Sequence, residues 1–136
     1  MAKILIVDDD PTFREVCRIF LEKEGFLIAE AGDADEGYEK VLSEKPDLLV
    51  LDVLMPNNYE GFDLARKIRE ELKLRKLPIV MLTAVHGVKK VPYRFAPDDT
   101  WLPVDVFLDK PVTPHTLVQT VRDLLGTHQE EPTDPL

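Results

Sequence analysis

Apolar residues follow two alternating patterns along this chain: short unbroken runs, and longer stretches where they recur every three or four positions. The runs Ile4-Leu5-Ile6-Val7, Leu48-Leu49-Val50-Leu51 and Ile79-Val80-Met81-Leu82 predict buried strands. Less continuous segments at Leu27–Glu30 and Val104–Leu108 predict two more. The periodic stretches lie between them. Asp10 is placed to cap a helix with Pro11 at its first position. Phe13, Val16, Cys17, Phe20 and Leu21 then recur at helical spacing until Gly25 closes the element. Asp33 with Glu36 resembles a capping box, and Tyr38, Val41 and Leu42 give the second helix an apolar side before Pro46. A third helix is expected from about Gly61 to Leu72, with Phe62, Ala65, Ile68 and Leu72 inward. Thr113 or Pro114 opens a last one carrying Leu117, Val118, Val121, Leu124 and Leu125.

Strands that are apolar along their whole length predict a parallel sheet covered on both faces. Their alternation with helices predicts right-handed crossovers and a doubly wound α/β domain over residues 1–126. Residues 127–136 hold two prolines and three acids and are expected to form a mobile tail. Between Thr83 and Lys110, Gly87, Pro92, Pro97 and Pro103 oppose a regular helix, so the helix there is expected to be short, displaced or replaced by loop. Tyr93, Phe95 and Trp101 share that segment with Lys89, Lys90 and Arg94. Two readings stay open: a partner-docking surface, or aromatics folded back over the sheet.

Composition narrows the function classes. The 136 residues suit one domain, and 44% apolar content excludes a wholly disordered chain. A net charge of -9 argues against a nucleic-acid partner. The single cysteine, Cys17, excludes an intrachain disulfide and falls on the apolar stripe, where it reads as a core thiol in a reducing compartment. The opening run is too short for a signal peptide and no stretch is long enough to span a bilayer, so neither membrane insertion nor export is expected, and the location is read as cytoplasmic.

In doubly wound sheets, ligands bind beyond the carboxyl ends of the strands. Asp8, Asp9 and Asp10 follow the first strand, Asp52 the third, Thr83 the fourth, and Lys110-Pro111 the fifth. Carboxylates gathered at one edge repel unless protonated or bridged by a cation, and several hard oxygens at an open site suit Mg²⁺. A metal on one side and Lys110 on the other would neutralise a phosphoryl group at Asp52, with Thr83 donating a hydrogen bond. Asp10 reads as the helix cap. His86, His115 and His128 read as surface residues.

Four segments carry a family resemblance: Ile6-Val7-Asp8-Asp9-Asp10, Leu51-Asp52-Val53-Leu54-Met55-Pro56, Leu82-Thr83-Ala84 and Asp109-Lys110-Pro111. In this order they resemble the signatures of the receiver domain of bacterial response regulators, a likeness spanning roughly Lys3 to Leu125. The resemblance implies a five-stranded flavodoxin-like sheet in the order 2-1-3-4-5. It further implies that Asp52 becomes an aspartyl phosphate, taking its phosphoryl group from a histidine kinase or phosphotransfer protein. Asp9, Asp52 and the backbone carbonyl of Leu54 would hold Mg²⁺, with Asp8 helping directly or through water. Lys110 would pair with the phosphoryl group, Lys110-Pro111 would be cis, and Thr83 with Phe107 would form the conformational switch. For Phe107, a plain core role is an equal alternative. A phosphoacceptor of this kind is not a turnover enzyme, and with no room after Leu125 for an output domain it is expected to signal to a downstream protein by contact.

The chain departs from the family pattern in three places. The loop before Gly61 is one residue longer. Leu54 and Val85 are apolar where side chains usually influence the hydrolytic water, which predicts slow loss of phosphate. The segment between Thr83 and Lys110 is several residues longer. Three rival functions follow. One is a receiver-like binding module that acts without phosphorylation. Another is a Mg²⁺-dependent phosphohydrolase with an aspartyl nucleophile, against which Leu54 stands where a second acid is common. The third is a flavin-binding domain, disfavoured by carboxylates where a phosphate would sit.

Overall fold

A computed structural model describes residues 2–53, 60–74, 76–83 and 104–130, apart from the side chains of Glu60, Thr83 and residues 127–130. The strands are β1 (Lys3–Val7), β2 (Leu27–Ala31), β3 (Leu48–Asp52), β4 (Ile79–Thr83) and β5 (Val106–Asp109). The helices are α1 (Pro11–Lys23), α2 (Ala34–Glu44), α3 (Glu60–Glu70) and α4 (Pro114–Glu130). All strand pairs are parallel and the sheet order is β2-β1-β3-β4-β5, the doubly wound arrangement expected.

Successive strand side chains point to opposite faces, so an all-apolar strand feeds two cores. Leu5, Val7, Leu49, Leu51, Ile79 and Met81 pack on one face with Val41 of α2 and Leu64, Ala65 and Ile68 of α3. Ile4, Ile6, Leu48, Val50, Val80 and Leu82 pack on the other, against Cys17 and Leu21 of α1 and Leu117, Val121 and Leu125 of α4. Capping follows the sequence: Asp10 Oδ1 accepts from the Thr12 and Phe13 amides at 3.0 and 3.4 Å, and Asp33 Oδ1 from the Glu36 amide at 2.8 Å. Glu36 reaches back to the Gly32 amide at 2.9 Å, one residue before the cap itself.

Three expectations need adjustment. Val16 and Phe20 of α1 were placed on the inward stripe, yet they are 40% and 38% exposed. A helix lying on a flat sheet buries a narrow stripe, here Cys17 and Leu21, and the flank of a wider apolar band stays in water. Leu42 of α2 is exposed for the same reason. The boundary expected at Thr127 falls inside α4, which continues through Glu130. The remark on the helix between β4 and β5 concerns residues 84–103, outside the described residues.

One structural clamp is invisible to periodicity. Arg69, near the end of α3, donates to the carbonyl oxygens of Leu74 and Leu77, both at 2.7 Å, and to Asp105 Oδ2 at 3.2 Å. Asp105 Oδ2 also accepts from the Ile79 amide at 2.8 Å. This network pins the starts of β4 and β5 and leaves their far ends to chemistry.

Candidate functional site: an acidic pocket at the strand ends

Register brings the site residues together. β1 and β3 pair Val7 with Leu51, so the next residues, Asp8 and Asp52, stand side by side at the carboxyl edge. β3 and β4 pair Asp52 with Leu82, and β4 and β5 pair Thr83 with Asp109. Thr83 therefore ends β4 one step beyond Asp52, and Lys110 leaves β5 one step beyond Thr83. The orientation of the Thr83 side chain lies outside the described part.

Carboxylate oxygens of Asp8, Asp9 and Asp52 all lie within 4.8 Å of one another. Asp8 and Asp52 are buried, while Asp9 is open to solvent. Lys110 Nζ stands 2.9 Å from Asp8 Oδ2 and 3.7 Å from Asp52 Oδ1. Its ammonium also lies 4.6 Å from the ring centroid of Phe13, a cation–π contact that holds it over the pocket. The Asp10 amide donates to Asp8 Oδ1 at 2.9 Å. Asp10 itself is occupied by its cap, so it stands apart from the cluster, as the sequence reading had it.

The electrostatics show a deficit of positive charge. Burial pushes the Asp8 carboxyl above the usual range and outweighs the hydrogen bonds from Lys110 and the Asp10 amide. Burial alone would lower Lys110, but its hydrogen bond to Asp8 and the charges of Asp8, Asp52 and Asp10 together raise it. One ammonium, in contact with Asp8 and Asp52, thus serves the three clustered carboxylates of Asp8, Asp9 and Asp52. The Arg14 guanidinium is bonded elsewhere: it donates to the Asp8 carbonyl oxygen at 2.6 Å and pairs with Glu30 at 3.0 Å.

The donor set meets the requirements of a hard divalent cation. It offers clustered carboxylate oxygens, two in a low-dielectric setting and one facing water, and lacks thiolate or imidazole among the described residues. The Leu54 carbonyl, expected to complete that set, lies outside the described residues, as does Val85.

Phe107 lies on β5, half-buried, and meets Phe62 of α3 edge-to-face with ring centroids 6.5 Å apart. It packs against the core formed with α2 and α3. The Lys110–Pro111 peptide is cis. His115 is exposed. Three participants were not singled out as site residues by the sequence reading. Phe13 was counted as core. Arg14 carried no motif. Gly61 was read only as a helix start, yet a Cβ placed on it would lie 2.1 Å from the carbonyl oxygen of Asp52. A glycine shortly after a strand-end aspartate was the available signal.

The response regulator receiver domain family matches residues 4–122, nearly the whole chain. The chain belongs to that family. Receiver domains are modules of two-component signalling. The transcriptional regulatory protein ResD of Bacillus subtilis is 36% identical over 124 residues, covering 91% of this chain and 48% of ResD. The chain thus spans about half the length of that relative, as of several other curated relatives it matches. Among solved structures, the receiver domain of a signal transduction histidine kinase from Syntrophus aciditrophicus superposes with a TM-score of 0.81 at 28% identity, covering 100% of this chain and 98% of that one. The response regulator TrrA of Thermotoga maritima, solved in complex with Mg²⁺–BeF, gives a TM-score of 0.73 at 30% identity, covering 91% and 99%. The receiver domain has no helix among its described residues that is long and apolar enough to cross a membrane.

Proposed function

We propose that this receiver domain is a phosphoacceptor whose Asp52 takes a phosphoryl group from a phosphohistidine of a histidine kinase or phosphotransfer protein. The observation that carries the reading is the placement of Lys110 Nζ at 2.9 and 3.7 Å from two buried carboxylates that share a cluster with Asp9. A carboxylate oxygen of Asp52 forms the new P–O bond as the P–N bond to the donor imidazole breaks. The electron pair stays on that nitrogen, which then takes up a proton. Burial around Asp52 excludes bulk water, and Lys110 is within reach of the incoming phosphoryl oxygens as a fixed countercharge. Thr83, one step beyond Asp52 at the end of β4, is the expected hydrogen-bond donor to a further oxygen.

Asp8, Asp9 and Asp52 would hold Mg²⁺, together with the Leu54 carbonyl; the bound ion supplies charge neutralisation and orientation. The similarity to TrrA, itself solved with Mg²⁺–BeF, supports this assignment. The domain is modified once rather than turning over substrate, and phosphate loss is slow because Leu54 and Val85 offer no group to orient water. Thr83 and Phe107 pass the modification on to a protein target, with Phe107 released from its contact with Phe62.

Phosphoramidate, a small donor with a P–N bond, tests the chemistry. With Mg²⁺ it should yield an adduct that hydroxylamine cleaves, the mark of an acyl phosphate, and excess chelator should suppress it. An adduct resistant to hydroxylamine, or one that forms equally fast with chelator, would contradict the reading.

A further inference from the structure

The opposite end of the sheet carries a second concavity, remote from the acidic pocket by the length of the strands. It has a volume of about 550 Å³, in the range of small-molecule sites. Val41, Leu77, Pro78 and Leu125 line it from α2, the start of β4 and the end of α4. Leu42 and Leu74, two of the large apolar side chains left exposed, also line it. Nothing in phosphoryl transfer uses these residues.

Its solvent edge is cationic. Lys45 and Lys76 both line the pocket, both are exposed, and neither has an ion-pair partner among the described residues. Asp47 is the acidic lining residue, but its Oδ2 accepts from the Lys3 amide at 2.8 Å. Lys45 and Lys76 stand at this edge in a chain whose net charge is -9, so the basic edge runs against the composition. Backbone conformation marks the same place. Among the described residues, the non-glycine residues with positive φ are Lys45 (φ 49°) and Lys73 (φ 57°), one within the lining and one directly before Leu74. Glycine or asparagine is favoured in that conformation, and both positions carry lysine.

An apolar cavity with paired ammonium groups at its mouth is complementary to an apolar body with an anionic head. We infer that this pocket binds a small amphiphilic anion, a medium-chain carboxylate being the simplest example, with its chain against Leu77 and Leu125 and its head between Lys45 and Lys76. Asp52 and its neighbours take no part, so binding is independent of phosphorylation chemistry.

The test is a titration of the full chain, followed by amide chemical shifts, with decanoate, decyltrimethylammonium and decanol below their aggregation limits. Decanoate should shift the amides of Leu42, Leu77 and Leu125 saturably, and the Lys45→Gln/Lys76→Gln double variant should weaken it about tenfold. Decyltrimethylammonium should bind at least as weakly to the wild type as decanoate does to the double variant. Both lysines are exposed, so the variant should fold, and an unchanged amide spectrum away from the pocket checks this. The proposal is overturned by an absence of saturable shifts, by shifts centred elsewhere, by equal binding of all three head groups, or by decanoate affinity unchanged in the double variant.

Discussion

The Cα of Gly61 sits against the carbonyl oxygen of Asp52, so closely that a side-chain carbon there would approach it to 2.1 Å. The Gly61 amide donates to the Val53 carbonyl at 3.2 Å, which locks the start of α3 onto the backbone of the candidate acceptor. The obstacle is backbone, which cannot swing aside as a flexible side chain could. Gly61→Ala should therefore cost about 2 kcal/mol or more, in the range of overpacked cores. It should also slow phosphorylation by displacing Asp52. Urea denaturation and a phosphorylation time course check the two effects; a variant as stable and as reactive as wild type would show that this contact yields easily.

Asp8 gives a stability prediction of opposite sign. Burial raises its folded-state pKa, so proton binding favours the folded form. That contribution is present below the ordinary aspartate range and is lost as pH rises through the elevated folded value. At neutral pH the charged, buried carboxylate is then a cost to the metal-free fold. Asp8→Asn keeps an acceptor for the Asp10 amide, gives up the bond from Lys110 and leaves that ammonium to Asp52. Because removal of the buried charge outweighs the lost bond, the Tm without metal should rise by about 3 °C, the shift expected per kcal/mol in a domain of this size. The gain should fade at acid pH, and the stabilisation by Mg²⁺ should shrink. Thermal melts at neutral and acid pH, with and without Mg²⁺, read all three.

Cys17 should be chemically silent in the folded protein. It is buried on α1, and burial first, with the charge of Asp8 second, pushes its thiol up to about 12. The thiolate is the reactive species, so iodoacetamide at neutral pH should modify it only at the rate of unfolding. Labelling as fast as that of a free thiol, without loss of the folded signal, would contradict the placement.

The fold was legible because its strands are unusually plain. Leu48-Leu49-Val50-Leu51 has no polar position at all, and the structure buries every one of these residues between two helical layers. The approximate site was legible for a related reason: in a parallel sheet, the residue after each strand reaches the same edge. What was not legible is what distance along the chain conceals. Lys110 and Asp8 are 102 positions apart, and no local pattern says that their side chains meet at 2.9 Å. The Arg69–Asp105 clamp and the Phe13–Lys110 contact are of the same kind. Helix faces were read too wide, as Val16 and Phe20 show, because hydrophobic spacing identifies the buried side without fixing how far round it the sheet reaches. The boundary at Thr127 was misplaced because nothing between Leu125 and Glu130 breaks a helix except Gly126, and a single glycine is tolerated there.

Intact mass measured after incubation with a small acyl phosphate and Mg²⁺ tests the central claim most directly. The wild-type chain should gain a single phosphoryl group, Asp52→Asn none, and Lys110→Ala the same group at least tenfold more slowly, in line with the loss of one electrostatic stabiliser. Equal phosphorylation of Asp52→Asn, or a wild type that gains nothing while remaining folded and bound to Mg²⁺, would contradict it.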